Sequence, residues 1–541
     1  KKNKILESEG YGSRAGSLMD AFTNELDWQK QVAYTDQLSK LTKKDIVDFA
    51  NKYFNNNYVV VYKRKGVDSS IVKVEKPAIT PVETNTNEQS PFVKAVNKMP
   101  SVPVKPIWID YNKDLQKAKA GPAEVLAVQN KDNSIFRLRY RFDVGTLNDK
   151  RLAMAAQYLS FLGTDKKSSE QISKDFYKIA SSFSVSAGAD YTTVMIEGLQ
   201  ENFSQAVSLF EDLLKNCKPD EEALALLKAR NIKARTDAKL SKGAIMNGLT
   251  MYAKYGSDNP FNYVMSDNEL NSLTAEQLVS ILHGLSDYSQ KILYYGPQTI
   301  TAFVPAIQKL HKIPANFKTA FAKKKFIDAI QTKNEVLFAD YDMVQAETRW
   351  VRNNEKYNPN DEVMVDVFNN YFGGGMGAVV FQTIRESKAL AYSTFAQYIT
   401  PGKKTDPYYT IAYVGSQADK FNEAVVAMNE LLNDLPEIKS NFDFAKQSIK
   451  KDIETERIVQ DGIIFDYLRS QEKGLNEDIR HKKYDQVDKI TFDQMKAFHT
   501  KYLAHKPYTY AIVASEKKVK MDDMKKYGEV KKLNLEQIFG Y

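Results

Sequence analysis

The sequence predicts an α+β chain made of duplicated domains, each a largely antiparallel sheet with helices packed on one face. Three observations predict it: a capped helix followed by an apolar run that occurs three times, a second helix pattern recurring at the same offset, and alternating strand sequence ahead of the helices.

The capped helix comes first. Leu41-Thr42-Lys43-Lys44-Asp45-Ile46 runs on through Phe49 and Tyr53 into Val59-Val60-Val61-Tyr62. A second copy opens with Leu273-Thr274-Ala275-Glu276-Gln277-Leu278 and ends in Ile292-Leu293-Tyr294-Tyr295. The third opens with Ile490-Thr491-Phe492-Asp493-Gln494-Met495 and ends in Tyr510-Ala511-Ile512-Val513. In each, Thr is a good N-cap and the residue three positions on (Asp45, Gln277 or Gln494) can return the capping bond. Leu41, Leu273 and Ile490 sit where a hydrophobic staple would. The short runs that follow have the length and the β-branched or aromatic content of buried strands. Thr42 and Thr274 lie 232 residues apart, and Thr274 and Thr491 lie 217 apart, so the repeat is domain-sized rather than a solenoid unit.

The second pattern agrees. Phe203-Ser204-Gln205-Ala206-Val207 leading to Leu213-Leu214 matches Phe421-Asn422-Glu423-Ala424-Val425 leading to Leu431-Leu432, 218 residues further on. These apolar positions share one helical face, and their common offset marks duplication. Upstream lies alternating strand sequence, Phe136 to Phe142 in one copy and Val344 to Val351 in the other. Strands, then helices, then a further strand make an α+β unit. Two complete units are expected at 119–330 and 331–541. Residues 1–65 match only the last third of a unit. Between them, residues 66–118 interleave Pro77, Pro81, Pro91, Pro100, Pro103 and Pro106 with Thr, Asn, Val and Lys, the composition of an extended tether, with Trp108-Ile109-Asp110-Tyr111 expected to pin its far end onto the next domain.

Composition sets the outer limits. With 541 residues the chain is too long for one core and should divide into two to four domains. It holds no run of about 18 apolar residues, so no membrane span is expected. Lys1-Lys2-Asn3-Lys4 opens the chain without an initiating Met or an apolar signal core, which suggests a fragment or a processed product. The net charge of +8 arises from 76 basic and 68 acidic residues spread over the whole length. A nucleic-acid partner would want a stripe or patch, so none is expected. A single cysteine, Cys217, excludes an intramolecular disulfide and any Cys-based metal cluster.

The sharpest local signal is Tyr371-Phe372-Gly373-Gly374-Gly375-Met376-Gly377, followed by Phe381-Gln382-Thr383-Ile384-Arg385-Glu386 and then Leu390-Ala391-Tyr392-Ser393. A phosphate loop would need a following Lys-Ser/Thr, which is absent. The plain alternative is a helix that stops and restarts at a tight turn. Arg385 and Tyr392 are two helical turns apart and would share a face if the helix continued. This Gly-Gly-Gly-Met, Phe-Gln-x-Ile-Arg-Glu, Leu-Ala-Tyr-Ser series resembles the C-terminal domain of pitrilysin/insulysin-type zinc peptidases, the inverzincins.

The resemblance extends over essentially the whole chain and implies a role for each part. In that family the Arg and Tyr of this segment face a zinc site across a closed chamber and bind substrate at the scissile bond, a role it assigns to Arg385 and Tyr392. Both side chains are donors able to stabilise a developing oxyanion. The family's zinc signature, His-x-x-Glu-His on a helix, does not occur here. His283, His311, His481, His499 and His505 read as packing or surface residues, none paired with another at helical spacing. Family members follow the signature with a short apolar stretch and Gly-Thr, here Phe161-Leu162-Gly163-Thr164, so its three positions hold Met154, Gln157 and Tyr158. Met binds only soft metals, Gln is no base and Tyr is a poor zinc ligand at neutral pH, so no metal or cofactor is expected in this chain.

On this reading residues 1–65 finish a truncated peptidase-like domain, 66–118 are the linker, 119–330 form a degenerate domain without zinc, and 331–541 carry the Arg/Tyr segment. The chain alone is expected to be inactive, a substrate-binding half of a metalloendopeptidase whose zinc lies in an N-terminal half, upstream or on a partner chain. Peptides are the expected substrates, and family habit points to a periplasmic or otherwise extracytoplasmic bacterial setting. The alternative is a non-enzymatic peptide-binding or assembly module of the same descent. An independent serine hydrolase has no support, since no Gly-x-Ser-x-Gly elbow is present.

Overall fold

All three expected capping boxes form in the computed structural model, which describes residues 1–66, 70, 89–100 and 102–541. Thr42 with Asp45, Thr274 with Gln277, and Thr491 with Gln494 each exchange the reciprocal pair of bonds that opens a helix, at Lys43–Tyr53, Ala275–His283 and Phe492–Tyr502. The described chain divides into two compact units, Lys1–Val104 and Lys105–Tyr541.

The larger unit contains two six-stranded sheets. The first comprises β1 (Gln116–Ala120), β2 (Ala123–Gln129), β3 (Ile135–Phe142), β4 (Ser182–Ala187), β5 (Thr192–Leu199) and β6 (Gln290–Gly296), in the order β1-β2-β6-β3-β5-β4. The second comprises β7 (Glu335–Asp340), β8 (Gln345–Lys356), β9 (Ala391–Ile399), β10 (Pro407–Gln417), β11 (Thr509–Ala514) and β12 (Glu529–Lys532), in the order β12-β7-β11-β8-β10-β9. Five strands correspond one to one. In both sheets the strand after the capped helix, β6 or β11, lies between a parallel neighbour (β2 or β7) and an antiparallel one (β3 or β8), and two further antiparallel strands follow. Only the outermost strand differs: β1 pairs antiparallel with β2, whereas β12 comes from the chain's end and pairs parallel with β7. The chain is therefore α+β, duplicated and mostly antiparallel.

Each sheet packs its own helices on one face. Val125, Leu138, Tyr140, Ile196 and Tyr294 meet Phe203, Val207 and Leu278 in one core, and Phe338, Trp350, Tyr398 and Ile512 meet Phe368, Val425 and Phe498 in the other. The opposite faces are covered by exchange. The Gly462–Glu472 helix of the second module lays Ile464 and Leu468 on Leu126, Val128, Leu293 and Tyr295 of the first sheet. The Lys242–Tyr255 helix of the first module lays Ile245 and Leu249 on Leu337, Val351 and Val513 of the second. These two helices correspond, since Ile245 and Ile464, like Leu249 and Leu468, are 219 positions apart. Polar pairs frame the exchange: Arg139 bonds Asp461 at 2.7 Å, and Arg141 bonds Glu472 at 2.9 Å.

Some expectations change. Pro77 and Pro81 of the tether lie outside the described residues, and Pro91 opens a helix, Pro91–Asn97, capped by Ser90, because proline suits a first helical turn. The Trp108–Tyr111 segment is pinned to the second module rather than the first. Tyr111 donates to Asp466 at 2.6 Å, Ile109 N–H donates to Asp478 at 3.1 Å, and Trp108 packs on His481 and Tyr484, because the exchanged helix brings that surface to it. Val59–Tyr62 forms no strand: the smaller unit offers no second strand among the described residues, and an isolated run cannot satisfy its backbone.

Candidate functional site

The site begins with the Glu362–Phe372 helix, whose Val365, Val367, Phe368, Tyr371 and Phe372 are buried. Asn369 uses its side-chain amide as a substitute strand on the rim of β9, accepting from Tyr398 N–H at 2.8 Å and donating to Tyr398 C=O at 3.0 Å. The helix ends at Gly373, which lies so close to β9 that a Cβ there would sit 1.9 Å from Ala396 O. This glycine is needed for close approach rather than for its backbone angles.

After the glycine-rich turn a helix restarts and widens into a π-helical turn over Phe381–Ser387. Ile384 and Leu390 bury its inner side. Ala389 adopts φ +47°, a left-handed conformation that costs energy in a non-glycine residue and turns the chain sharply into β9. Tyr392 therefore stands on a strand, not on a continued helix, because the helix ends before it. The turn nevertheless brings it to Arg385: the guanidinium lies 4.8 Å from the Tyr392 ring centroid and 4.8 Å from that of Phe381. Such contacts hold a guanidinium by the ring quadrupole without using its N–H donors. The nearest carboxylate, Glu386, meets Nε at 3.4 Å, and among the described residues nothing else bonds the guanidinium. Tyr392 is 78% exposed. An accessible cation and an accessible phenol side by side form a donor pair suited to an oxygen that gains negative charge.

Phe381 belongs to the motif read in the sequence, but its contact with Arg385 was not read there, although it lies one turn ahead of Arg385, the spacing at which helical side chains meet. Asn369 and Gly373 could not be read from spacing, since their partners are on β9.

The Leu152–Tyr158 helix occupies in the first module the place that Glu362–Phe372 occupies in the second. Met154 is buried. The Tyr158 hydroxyl is locked to Asp220, donating to its C=O at 2.6 Å and accepting from its N–H at 2.8 Å, and burial pushes its pKa up to about 12. Gln157 is exposed and offers only a neutral amide. Met154 and Gln157 line a cavity of about 390 Å³ with Asn231, Arg235, Tyr263 and Met265. A thioether, an amide and a committed phenol do not fit zinc. Among the described residues no group of three or more His, Cys, Asp or Glu stands close enough to hold a metal ion. No helix among them is long and apolar enough to cross a membrane.

Residues 295–448 match the family model described as peptidase M16 inactive domain, and residues 125–246 match the one described as insulinase, peptidase family M16. An uncharacterized zinc protease of Bacillus subtilis, YmxG, is 22% identical over 287 residues, 51% of this chain and 66% of that protein. A peptidase M16 inactive domain from Pseudomonas fluorescens superposes with a TM-score of 0.58 at 17% identity, covering 74% of this chain and 98% of that one. The periplasmic protease PqqL of Escherichia coli gives 0.59 at 12% identity over 88% of this chain and 51% of its own. A mutant ferredoxin protease FusC, solved with Arabidopsis ferredoxin, gives 0.59 at 13% identity over 94% and 58%. This chain thus spans just under two thirds of the Bacillus relative and little more than half of PqqL and FusC. Duplicated sheets, the glycine-rich turn feeding an Arg/Tyr pair and the two family matches converge: the chain belongs to the pitrilysin-type M16 peptidase family, in the part that corresponds to its C-terminal half.

Proposed function

We propose that this chain is the non-catalytic, substrate-binding half of a zinc metalloendopeptidase that encloses peptides in a chamber. The observation that carries the reading is the accessible Arg385–Tyr392 pair in a chain whose signature positions hold Met154, Gln157 and Tyr158. Zinc, held by an N-terminal half on the same polypeptide or on a separate chain, would supply the activated water. Arg385 and Tyr392 would grip the carbonyl oxygen of the bond being cut and donate to it as it becomes an oxyanion. The stacking of Arg385 on Phe381 and Tyr392 supports this, because a guanidinium already oriented loses less freedom on binding.

The smaller unit supports a partner of the same architecture. Ile46, Phe49 and Tyr53 are 58%, 56% and 55% exposed, whereas of their counterparts at the same distance from the capping Thr, Leu278, Leu285, Met495, Phe498 and Tyr502 are buried and Ile281 is partly buried against the core. Residues 1–65 thus carry a helix and an apolar run shaped to complete a sheet that another segment provides.

The purified chain, given zinc and an unstructured peptide, is expected to bind the peptide and leave it intact, and to cut it once a zinc-bearing half of this family is added. Zinc-dependent cleavage by the chain alone would overturn the proposal. Peptide binding without cleavage in every combination would favour a non-enzymatic binding module instead.

A further inference from the structure

A cavity of about 470 Å³ opens beside the first residues of β7 and β11, and Thr332, Asn334, Asn429, Asn433, His505 and Lys506 supply most of its polar lining. No Asp or Glu is among the described residues that line it. Its three asparagines have their amides fixed in one sense. Asn334 accepts from Tyr508 N–H at 2.9 Å, Asn433 accepts from His505 N–H at 2.9 Å, and Asn429 accepts from Trp350 Nε1–H at 2.8 Å and from the Tyr510 hydroxyl at 3.2 Å. An N–H cannot accept, so each amide oxygen is committed and each NH2 is left over. Among the described residues nothing bonds Nδ2 of Asn334, Asn429 or Asn433, or Nζ of Lys506. The amide nitrogens of the half-buried Asn429 and Asn433 are open to water.

We infer that this cavity is a binding site for the phosphoryl group of a small anionic molecule. Pinning the 505–508 segment accounts for the amide oxygens of Asn334 and Asn433. It leaves unexplained why three unused NH2 groups belong to one cavity. Asn429 and Asn433 are one turn apart on the Phe421–Asn433 helix and share a face. Lys506 lies between His505 and Tyr508, the two residues whose N–H groups Asn433 and Asn334 hold. His505 is kept at φ +56°, a left-handed conformation that costs energy in a non-glycine residue. The cavity thus offers amide N–H donors and an ammonium, with no carboxylate to repel an anion, a lining suited to oxygens that only accept. The donors come from three separate segments, which suits the tetrahedral oxygens of a phosphoryl better than a planar carboxylate. The volume is that of an ordinary small-molecule site. Neither Arg385 nor Tyr392 takes part and no zinc half is needed, so the inference stands apart from the proposed function.

The probe is inorganic phosphate, titrated at constant ionic strength into the 541-residue chain carrying 15N-labelled tryptophan. The indole N–H signal of Trp350 reports on the site because it is bonded to Asn429. That signal is expected to move saturably, with a Kd of about 1 mM or lower, while those of Trp28 and Trp108 stay in place. This arm depends on no variant. Asn429→Asp keeps an oxygen for Trp350 and Tyr510 but puts a negative oxygen where the free NH2 was, and should raise Kd roughly tenfold or more. Lys506→Met should raise it roughly fivefold or more, and Lys517→Gln, which removes an exposed charge beyond the far end of β11, should leave it unchanged. Absence of saturation, an equal response to chloride, tighter binding of citrate than of phosphate, or an unchanged Kd in both Asn429→Asp and Lys506→Met would overturn the inference. So would movement of the Trp28 or Trp108 signal in place of that of Trp350.

Discussion

Tyr392 and Arg385 are seven residues apart and on different kinds of element, yet they touch. Their residue types were legible because the Phe-Gln-x-Ile-Arg-Glu and Leu-Ala-Tyr-Ser series is distinctive. Their geometry was not, since it depends on a left-handed Ala389 that local propensity disfavours. Another residue shows how charge is handled in the same module. Glu362 is buried and accepts from Tyr357 at 2.6 Å, from Lys473 at 2.8 Å and from Lys483 at 3.1 Å. Burial alone would raise its pKa, but Lys483, Lys473 and Tyr357 outweigh it and hold the carboxyl at about 2. A carboxylate depressed in the folded state stabilises the fold above its unfolded pKa of about 4.3 and loses that contribution as pH falls toward 2. Asp366, which shares Lys483, is pushed upward by burial and offsets part of this. Denaturant unfolding is therefore expected to show stability declining from about pH 4.3 toward 2, less steeply in Glu362→Gln. The variant should also lower stability at neutral pH, by about 1–3 kcal/mol, because two half-buried lysines lose a charged partner, Lys483 keeping Asp366.

At the scale of elements, the capped helices were fully legible, because a capping box is written within four consecutive residues. Thr274→Ala and Thr491→Ala should each lower stability by about 1 kcal/mol in urea titrations. The strand expected at Val59–Tyr62 failed for a reason no local pattern carries: a strand exists only where neighbours accept its bonds. Hydrogen exchange should find the amides of Lys43–Tyr53 and 59–62 fast in the chain alone and those of Ala275–His283 and β6 slow. Gly373 belongs to this scale too. Gly373→Ala would drive a methyl into Ala396 and force the helix end off β9, and the expected result is a loss of about 1–3 kcal/mol in stability together with reduced turnover of the assembled enzyme.

For the larger unit as a whole, the repeat offset revealed two modules but not how they hold together. Each sends one helix across to cover the other's sheet, so neither sheet has both faces covered by its own module. Nothing in the alternation of β3 indicated that Arg137, Arg139 and Arg141 face helix residues more than 300 positions away. Residues 105–541 are accordingly expected to unfold in one transition. Leu468→Ala, which empties a contact on the first sheet from a helix of the second module, should lower stability by about 2–5 kcal/mol and move that single midpoint down without splitting it. Separate transitions for the two modules in calorimetry would contradict the exchange.

The central claim is that this chain grips the substrate while another supplies the metal. Steady-state turnover of the zinc-bearing enzyme assembled with Arg385→Ala or Tyr392→Phe, measured beside its bound zinc, addresses that claim most directly. The account predicts turnover lower by roughly 10²-fold with zinc content unchanged. Unaltered turnover in both variants, or loss of zinc in step with activity, would contradict it.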